Sequence, residues 1–449
     1  MNIKFLGAAG TVTGSSYALT SGSGRSILID LGMFQGPQQI EQLNYEPYEY
    51  DCSKLVGMVL THAHLDHCGR LPILLPKGFK GNIWMTTSTR DLTELSLLDT
   101  AKIAKEDEKP ILFDKELAQR AIEQFKTVEY RTPVQMGDFT ITFRDAGHIL
   151  GSASLEIEDK SPNSEIRKII FSGDLGNTPE DLLEATETID TADAVVMEST
   201  YGDRLHPKQD PTETIQSEIN AVETSGGTLL IPSFSLNRTQ EILHIIRHLK
   251  RDGKISPQTL VFLDSPMAEK ATRIYMNYRP LFNAHIREDF KTGSPFEFPG
   301  YQELAKQAQS QAIEEQSGPK VIIAGSGMMT GGRIVRHAAH YLPIASTRLL
   351  IVGYQGIGTL GRELLDGKKD VGIEGRSVHV TATVTDTQAM SSHADQSQLL
   401  DWLGHIQHVK KVFLTHGDNV PREALSLKIK EALQLTDITM PTMNQEISF

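Results

Sequence analysis

Cysteine is scarce: Cys52 and Cys68 are the only two in 449 residues. That excludes a disulfide framework and a cysteine-built zinc knuckle, and it fits a reducing compartment. Long apolar runs are missing too. No stretch approaches the ~20 residues a membrane-spanning helix needs, so no membrane partner is expected. The N-terminal MNIKFLGAAG runs straight into a short apolar strand, without the h-region of a secretory leader. These absences together predict a cytoplasmic protein. A basic excess is lacking as well: 44 Lys and Arg face 57 Asp and Glu, a net charge of −13. Nucleic-acid binders usually carry a basic face, so the distribution matters more than the total. From His206 to Gln388 there are 20 basic and 19 acidic residues, whereas the remainder holds 24 against 38. One segment therefore repels a polyanion far less than the rest.

Hydrophobic residues at 39% and charged residues at 22% describe a folded chain, and the length predicts two or three domains. Short Val-, Ile- and Leu-rich runs recur and end on polar residues: SILID at Asp30, GMVLTH at His62, TITFRDAGH at His148, KIIFSGD at Asp174, AVVME at Glu198 and KVFLTH at His416. Each has the length of a strand buried on both faces. Helical patterns at 90–108 and 114–127 lie between them, which predicts an α/β layered fold. From Thr212 onward, helix and strand alternate regularly, as in a doubly wound parallel sheet with its own core. The segment 278–319 reads as surface excursion and helix. A site that used Asp30 through Glu198 together with His416 requires the chain to leave a first domain, build a second and return. The predicted division is 1–205 and 389–449 for the first domain, with 206–388 inserted.

The strongest chemical signal is His62-Ala63-His64-Leu65-Asp66-His67. His62 and His64 are two apart and share a side of an extended segment, while Asp66 and His67 open a helix. Four donor side chains within six residues suit two adjacent divalent metals better than one. Imidazole with carboxylate favours Zn²⁺, with Mn²⁺ or Fe²⁺ less suited. His148, Asp174 and His416 at other strand ends are further donors. Asp30, also at a strand end, reads as the group that orients a ligand histidine or the reacting water. His393 is the candidate general acid, because imidazole gives up a proton near neutral pH. Glu198 would fix its tautomer. SFSLNR (233–238) and SGMMTGGR (326–333) each sit between a strand and a helix. Ser233, Arg238, Ser326 and Arg333 are accordingly candidate phosphate contacts. Gly356 to Gly361 spells GxGxxG after a strand, but the following helix is too short and no acidic residue follows a second strand. A dinucleotide cofactor is therefore not expected, and the motif reads as a tight turn at the domain junction.

HxHxDH, an isolated His, an Asp in a GD turn and a late His together resemble the metallo-β-lactamase fold. ESTYGDR (198–204), SSHAD (391–395) and THGD (415–418) are similar to its β-CASP branch of RNA- and DNA-processing nucleases, and GMFQG, HILGSA, LDSPMA and GSGMMTGGR to the branch's bacterial members. The resemblance runs from Ile3 to about Asp418. It departs only at Cys68 and Asp418, neither a ligand position. It implies an αββα sandwich with an inserted doubly wound α/β (β-CASP) domain. It also implies that His62, His64 and His148 bind one zinc, that Asp66, His67 and His416 bind a second, and that Asp174 bridges them. A bridging carboxylate and water hold such ions ~3.5–4 Å apart and lower the water pKa from ~15.7 toward ~7, giving the hydroxide that attacks phosphorus. The family carries the Glu198–His393 pair across its domain junction. The implied activity is hydrolysis of single-stranded RNA by a two-zinc ribonuclease, endonucleolytic or from the 5′ end, with the insertion as a lid. A homodimer is one expectation for its assembly. Competing readings are a DNA-directed nuclease and a hydrolase of small esters or thioesters, which the bare fold permits equally.

Overall fold

The apolar runs become strands because they have no polar face to offer solvent. Ser26–Ile29 and Ala194–Met197 are buried at every residue. The structure, a computed structural model, describes residues 1–48, 50–106, 110–162, 167–177, 182–356 and 358–449. It divides into two units, Met1–Leu205 with Ser392–Phe449, and His206–Ser391.

The first unit holds two seven-stranded sheets. One runs, in spatial order, Glu446–Ser448, Asn2–Phe5, Tyr17–Thr20, Ser26–Ile29, Leu55–Val59, Ile83–Thr86 and Phe125–Val128. The other runs Ile438–Thr439, Lys411–Leu414, Ala194–Met197, Lys168–Phe171, Ala153–Asp159, Phe139–Asp145 and Val134–Met136. Their inner faces share one core, in which Phe5, Tyr17 and Ile29 meet Phe143, Phe171 and Phe413. The Phe5 and Phe413 rings lie 5.4 Å apart, and those of Tyr17 and Phe171 5.6 Å, within the range of favourable aromatic pairs. The outer face of the first sheet packs Leu28, Met58 and Met85 against Leu97 and Ala118 of the helices Thr87–Glu106 and Lys115–Ile122. On the second, Ile170, Val195 and Val412 meet Trp402 and Leu425 of the helices Gln396–His405 and Asn419–Leu433. The result is an αββα sandwich.

The second unit is built on a six-stranded sheet in the order Tyr301–Glu303, Leu260–Leu263, Lys320–Ala324, Thr228–Pro232, Arg348–Ile351 and Thr383–Asp386. Every pairing in it is parallel. Leu230, Ile322 and Leu349 share a core with Ile334 and Ala338 of the helix Arg333–Tyr341 and with Leu364 of Leu360–Leu365.

Three local readings change. The helix read over 114–127 stops at Ile122, and Phe125–Val128 is an edge strand parallel to Ile83–Thr86. Four residues with only their two ends buried show no period of two beside a stronger helical pattern. The excursion 278–319 contributes the strand Tyr301–Glu303, only three residues long. The Gly356–Gly361 motif lies inside the second unit rather than at its junction. Thr359 there caps the six-residue helix Leu360–Leu365 by accepting from Arg362 N, while Ile357 falls outside the described residues.

Strand direction is what positions the chemistry. Ser26–Ile29 is parallel to Leu55–Val59, and Lys168–Phe171, Ala194–Met197 and Lys411–Leu414 are mutually parallel neighbours. Phe139–Asp145 regains the same sense through two antiparallel pairings. Asp30, Asp174, Glu198 and His416 thus follow C-terminal strand ends, the usual place for sites on open α/β sheets. Because the inter-sheet core unites both sheets, Phe413→Ala should cost about 3–5 kcal/mol, read as a lower urea midpoint in far-UV circular dichroism. A loss under about 1 kcal/mol, the size of an ordinary surface change, would show that this ring does not anchor the sandwich.

Candidate metal centre

After Leu55–Val59 the chain passes through His62 and bends at Ala63 and His64 into the one-turn helix Leu65–Cys68. Gly32 permits this turn to sit where it does: a Cβ there would lie 1.5 Å from the Asp66 carbonyl oxygen. His62, His64, His148 and Asp174 gather as one donor set, and Asp66, His67 and His416 as a second. Asp174 belongs geometrically to both. Its Oδ2 is 3.4 Å from His62 Nε2 and 3.7 Å from His148 Nε2, while Oδ1 is 3.2 Å from His67 Nε2 and 3.7 Å from His416 Nδ1. His64 Nδ1 lies 3.1 Å from His148 Nε2, and His416 Nε2 3.4 Å from Asp66 Oδ2. His62 Nε2, both Asp174 oxygens and His416 Nε2 are buried with no hydrogen-bond partner among the described residues. Orphaned polar atoms of this kind are rare and costly unless an ion takes them up. The donor chemistry fits divalent cations.

A set of hydroxyls and carbonyls fixes which nitrogen each ring presents. Asp30, with φ at +54°, accepts from Thr61 N and Thr61 Oγ1, both at 2.8 Å, and from His67 Nδ1 at 2.7 Å. That leaves His67 Nε2 facing Asp174. Having given its proton to Asp30, the Thr61 hydroxyl can only accept from His62 Nδ1, 3.1 Å away, so His62 presents Nε2. His148 Nδ1 donates to the Ser392 carbonyl at 2.9 Å. Thr200 Oγ1 donates to the His416 carbonyl at 3.2 Å and sits 3.1 Å from His416 Nδ1. Such partners orient and strengthen metal ligands. Thr61, Thr200 and Ser392 are the contributors that sequence reading missed. The visible signal was only adjacency, since each lies next to or within a motif named for other residues.

Electrostatics follow from burial among these rings. Burial, then the neighbouring His67, lowers the His62 imidazole to about 3, and burial lowers His64 to about 4 and His148 well below its usual range. Those rings keep their lone pairs at neutral pH. Burial alone would push Asp174 up, but the imidazoles of His416, His67 and His62 hold it well below the carboxylate range. Glu198 is buried, accepts from Leu175 N at 2.6 Å, and faces His393 Nδ1 with both oxygens at 3.3 and 3.2 Å. Burial opposes charge on His393, and the Glu198 carboxylate overcomes it, raising the ring to about 9. The His393 ring is 4.5 Å from that of His148. Asp395 caps the helix Gln396–His405 that follows, accepting from Ser397 N and Gln398 N.

The four phosphate candidates lie in the second unit, Ser233 and Ser326 on loops leaving the adjacent parallel strands Thr228–Pro232 and Lys320–Ala324, and Arg238 and Arg333 at the starts of the helices that follow. Ser233 is buried and accepts from Thr239 Oγ1 at 3.0 Å. The Arg238 guanidinium is buried against Glu241. Arg333 donates to Asp264 Oδ1 and to the carbonyls of Leu304 and Ala305 at 2.6, 2.6 and 2.9 Å. Ser326 is spent on its own turn with Thr330 and Gly331. All four thus have internal partners. Among the described residues no helix is long and apolar enough to cross a membrane.

An αββα sandwich that gathers two His/Asp donor sets around a shared carboxylate defines a class, the metallohydrolase-type fold with a divalent-metal centre. Known proteins narrow it. The profile of the metallo-beta-lactamase superfamily matches residues 9–216, that of the Beta-Casp domain 239–364, and that of the Zn-dependent metallo-hydrolase RNA specificity domain 377–441. The chain is 37% identical to Ribonuclease TTHA0252 of Thermus thermophilus, covering 93% of each. It is 29% identical to an RNase J-like protein of Methanocaldococcus jannaschii, covering 96% of each. To the transcription termination factor FttA of Methanosarcina mazei it is 28% identical over 97% of this chain and 70% of that one. A crystal structure of a protein of unknown function from Enterococcus faecalis V583 shares the fold at TM-score 0.55 and 12% identity, over 99% of both chains. The chain belongs to the β-CASP family of the metallo-β-lactamase superfamily.

Two outcomes are expected here. Asp30→Ala strips His67 of its acceptor and should weaken divalent-metal affinity about 10–100-fold in a competition titration; unchanged affinity would show that Asp30 orients nothing. Asp145, which ends the strand before the His148 loop, is raised by burial to about 7 despite a hydrogen bond from Gly147 N. Its folded value exceeds its unfolded one, so this contribution is present below about pH 4 and lost as pH rises toward 7. Asp145→Asn should therefore gain stability at pH 8, on the order of 1–2 kcal/mol, with the gain vanishing near pH 4 in parallel denaturation series.

Proposed function

We propose that the chain is a two-metal phosphodiesterase that hydrolyses single-stranded RNA, as an endonuclease with 5′-exonuclease action as its second mode. The observation that carries this reading is Asp174, shared between two donor sets with the Glu198–His393 pair alongside. Histidine and carboxylate donors suit Zn²⁺, and Mn²⁺ or Fe²⁺ would also be accepted. Two bound cations would supply an activated water and neutralise charge on the scissile phosphate. His62, His64, His148, Asp66, His67 and His416 would hold them, with Asp174 between. Glu198 keeps the His393 proton relay oriented through Nδ1, so the proton delivered to the leaving oxygen is the one at Nε2. Nearby cations would pull the ring down from about 9 toward the range where it releases a proton.

RNA rather than DNA is supported by the relatives named as ribonucleases and by the RNA specificity profile, whose span of 377–441 includes His393 and His416. A thioesterase reading leaves Glu198 and His393 without a task. The test compares wild type with His393→Ala on single-stranded RNA labelled at either end, beside single-stranded DNA and a chromogenic thioester. His393→Ala should lose about 10²–10⁴-fold in RNA cleavage while retaining its metal content. Full activity in the variant would remove His393 as the acid. Faster turnover of the thioester than of RNA would overturn the phosphodiesterase reading, and the label pattern assigns endo or exo cutting.

A further inference from the structure

Within the second unit, the helix Arg238–Arg251 carries His244 and His248 one turn apart, and the helix Ala284–Thr292 carries His285 and Asp289 at the same spacing. Residues four apart share a helix face, so each helix presents a pair of donors. The four donor atoms lie within 4.8 Å of one another. His244 Nε2 is 3.0 Å and His248 Nε2 2.6 Å from the same oxygen, Asp289 Oδ2. The His244 and His248 rings are 4.1 Å apart, and His285 stands 5.4 Å from His248. His244 and Asp289 are buried, His248 is half-buried, and His285 closes the set from the solvent side.

We propose that His244, His248, His285 and Asp289 form a structural zinc site, separate from the hydrolytic centre. Three imidazoles and one carboxylate supply four N and O ligands, which fill a tetrahedral zinc shell and leave none of the open positions that catalytic zinc keeps. Zn–N bonds of ~2.0–2.1 Å place tetrahedral ligands about 3.3 Å apart, so the short His–Asp separations need open by less than ~1 Å to admit the ion. The two oxygens of Asp289 divide the work: Oδ2 faces the imidazoles, while Arg247 Nη1 holds Oδ1 at 3.1 Å. That guanidinium orients the carboxylate as outer partners of metal ligands do. A plain hydrogen-bond hub of two histidines on one carboxylate would leave His285 unused. The ion would tie Ala284–Thr292 to Arg238–Arg251, which the Arg247 Nη2 to Thr292 Oγ1 hydrogen bond already links at 3.1 Å.

The test uses the full chain, stripped with chelator and titrated with Zn²⁺, and with Co²⁺ for its tetrahedral d–d absorption. Wild type should bind one more equivalent than His285→Ala or His248→Ala at a free zinc concentration that fills wild type. His285 is exposed, so that variant should keep the wild-type circular dichroism spectrum. The one-equivalent difference should persist when His62→Ala and His67→Ala disable the hydrolytic centre. In that background Zn²⁺ should raise the melting temperature, and adding His285→Ala should abolish the rise. Equal zinc counts in wild type and either single variant would overturn the site, as would a zinc-dependent rise that survives His285→Ala in that background.

Discussion

An ionised carboxylate sits where water cannot reach it. Asp174 is 1% exposed, and neither of its oxygens is hydrogen-bonded among the described residues. Isolating such a charge in a low-dielectric interior costs several kcal/mol, far more than one strand-end turn could absorb alone. The surrounding imidazoles offset part of that cost in the polypeptide itself, and the donor geometry leaves room for divalent cations to offset the rest. Much else in the first unit reads as a consequence of placing that carboxylate. Gly32 lets the HAHLDH turn approach. Asp30 and His416 accept left-handed backbone, φ +54° and +47°, a strain that persists only where the surroundings over-determine it.

The same constraint explains the order of the chain. Lys168–Phe171 and Ala194–Met197 deliver Asp174 and Glu198, but their neighbour Lys411–Leu414 arrives only after the second unit has been built. His393 and His416 therefore reach the centre on a returning segment. Its docking is cemented by backbone pairing between Ala394 N and Leu175 O, and by the isolated bridge between Gly176 and His393. A site assembled this way exists only in the folded first unit, because its donors span some 350 positions of sequence. Loop closure over that distance is costly but grows slowly with length, which is why a large insertion can be tolerated between two strands of one sheet.

The side chains that the structure gathers into donor sets were legible in the sequence because metal chemistry restricts residue type and strand ends restrict place. HAHLDH concentrates four donors in six residues, and Asp30, His148, Asp174 and His416 each punctuate an apolar run. The orienting shell was not legible for the opposite reason. A threonine hydroxyl or a main-chain carbonyl, as at Thr61, Thr200 and Ser392, carries no rare residue type, and its role depends on which proton it has already given away. Edge elements failed on length: Phe125–Val128 and Tyr301–Glu303 are too brief for a period to show. The arginines of the phosphate motifs have partners that no sequence pattern announces, since Arg238 and Arg333 satisfy buried carboxylates of their own unit.

A net-acidic protein repels a polyanion unless opposite charge is placed locally. With Arg238 and Arg333 engaged inside the second unit, they shape loops rather than offer open charge. Asp264 accepts at once from Arg333, His337 and Ser310, all within one buried network. The helix starts on those loops are engaged as well: Ile334 N donates to the Gly325 carbonyl at 3.1 Å and Thr239 N to that of Phe234 at 3.3 Å. If the proposed RNA-cleaving reading holds, a chain with a net charge of −13 would draw much of its attraction for the strand from cations bound at the His/Asp donor sets, so substrate affinity and catalytic competence would rise and fall with the same ions.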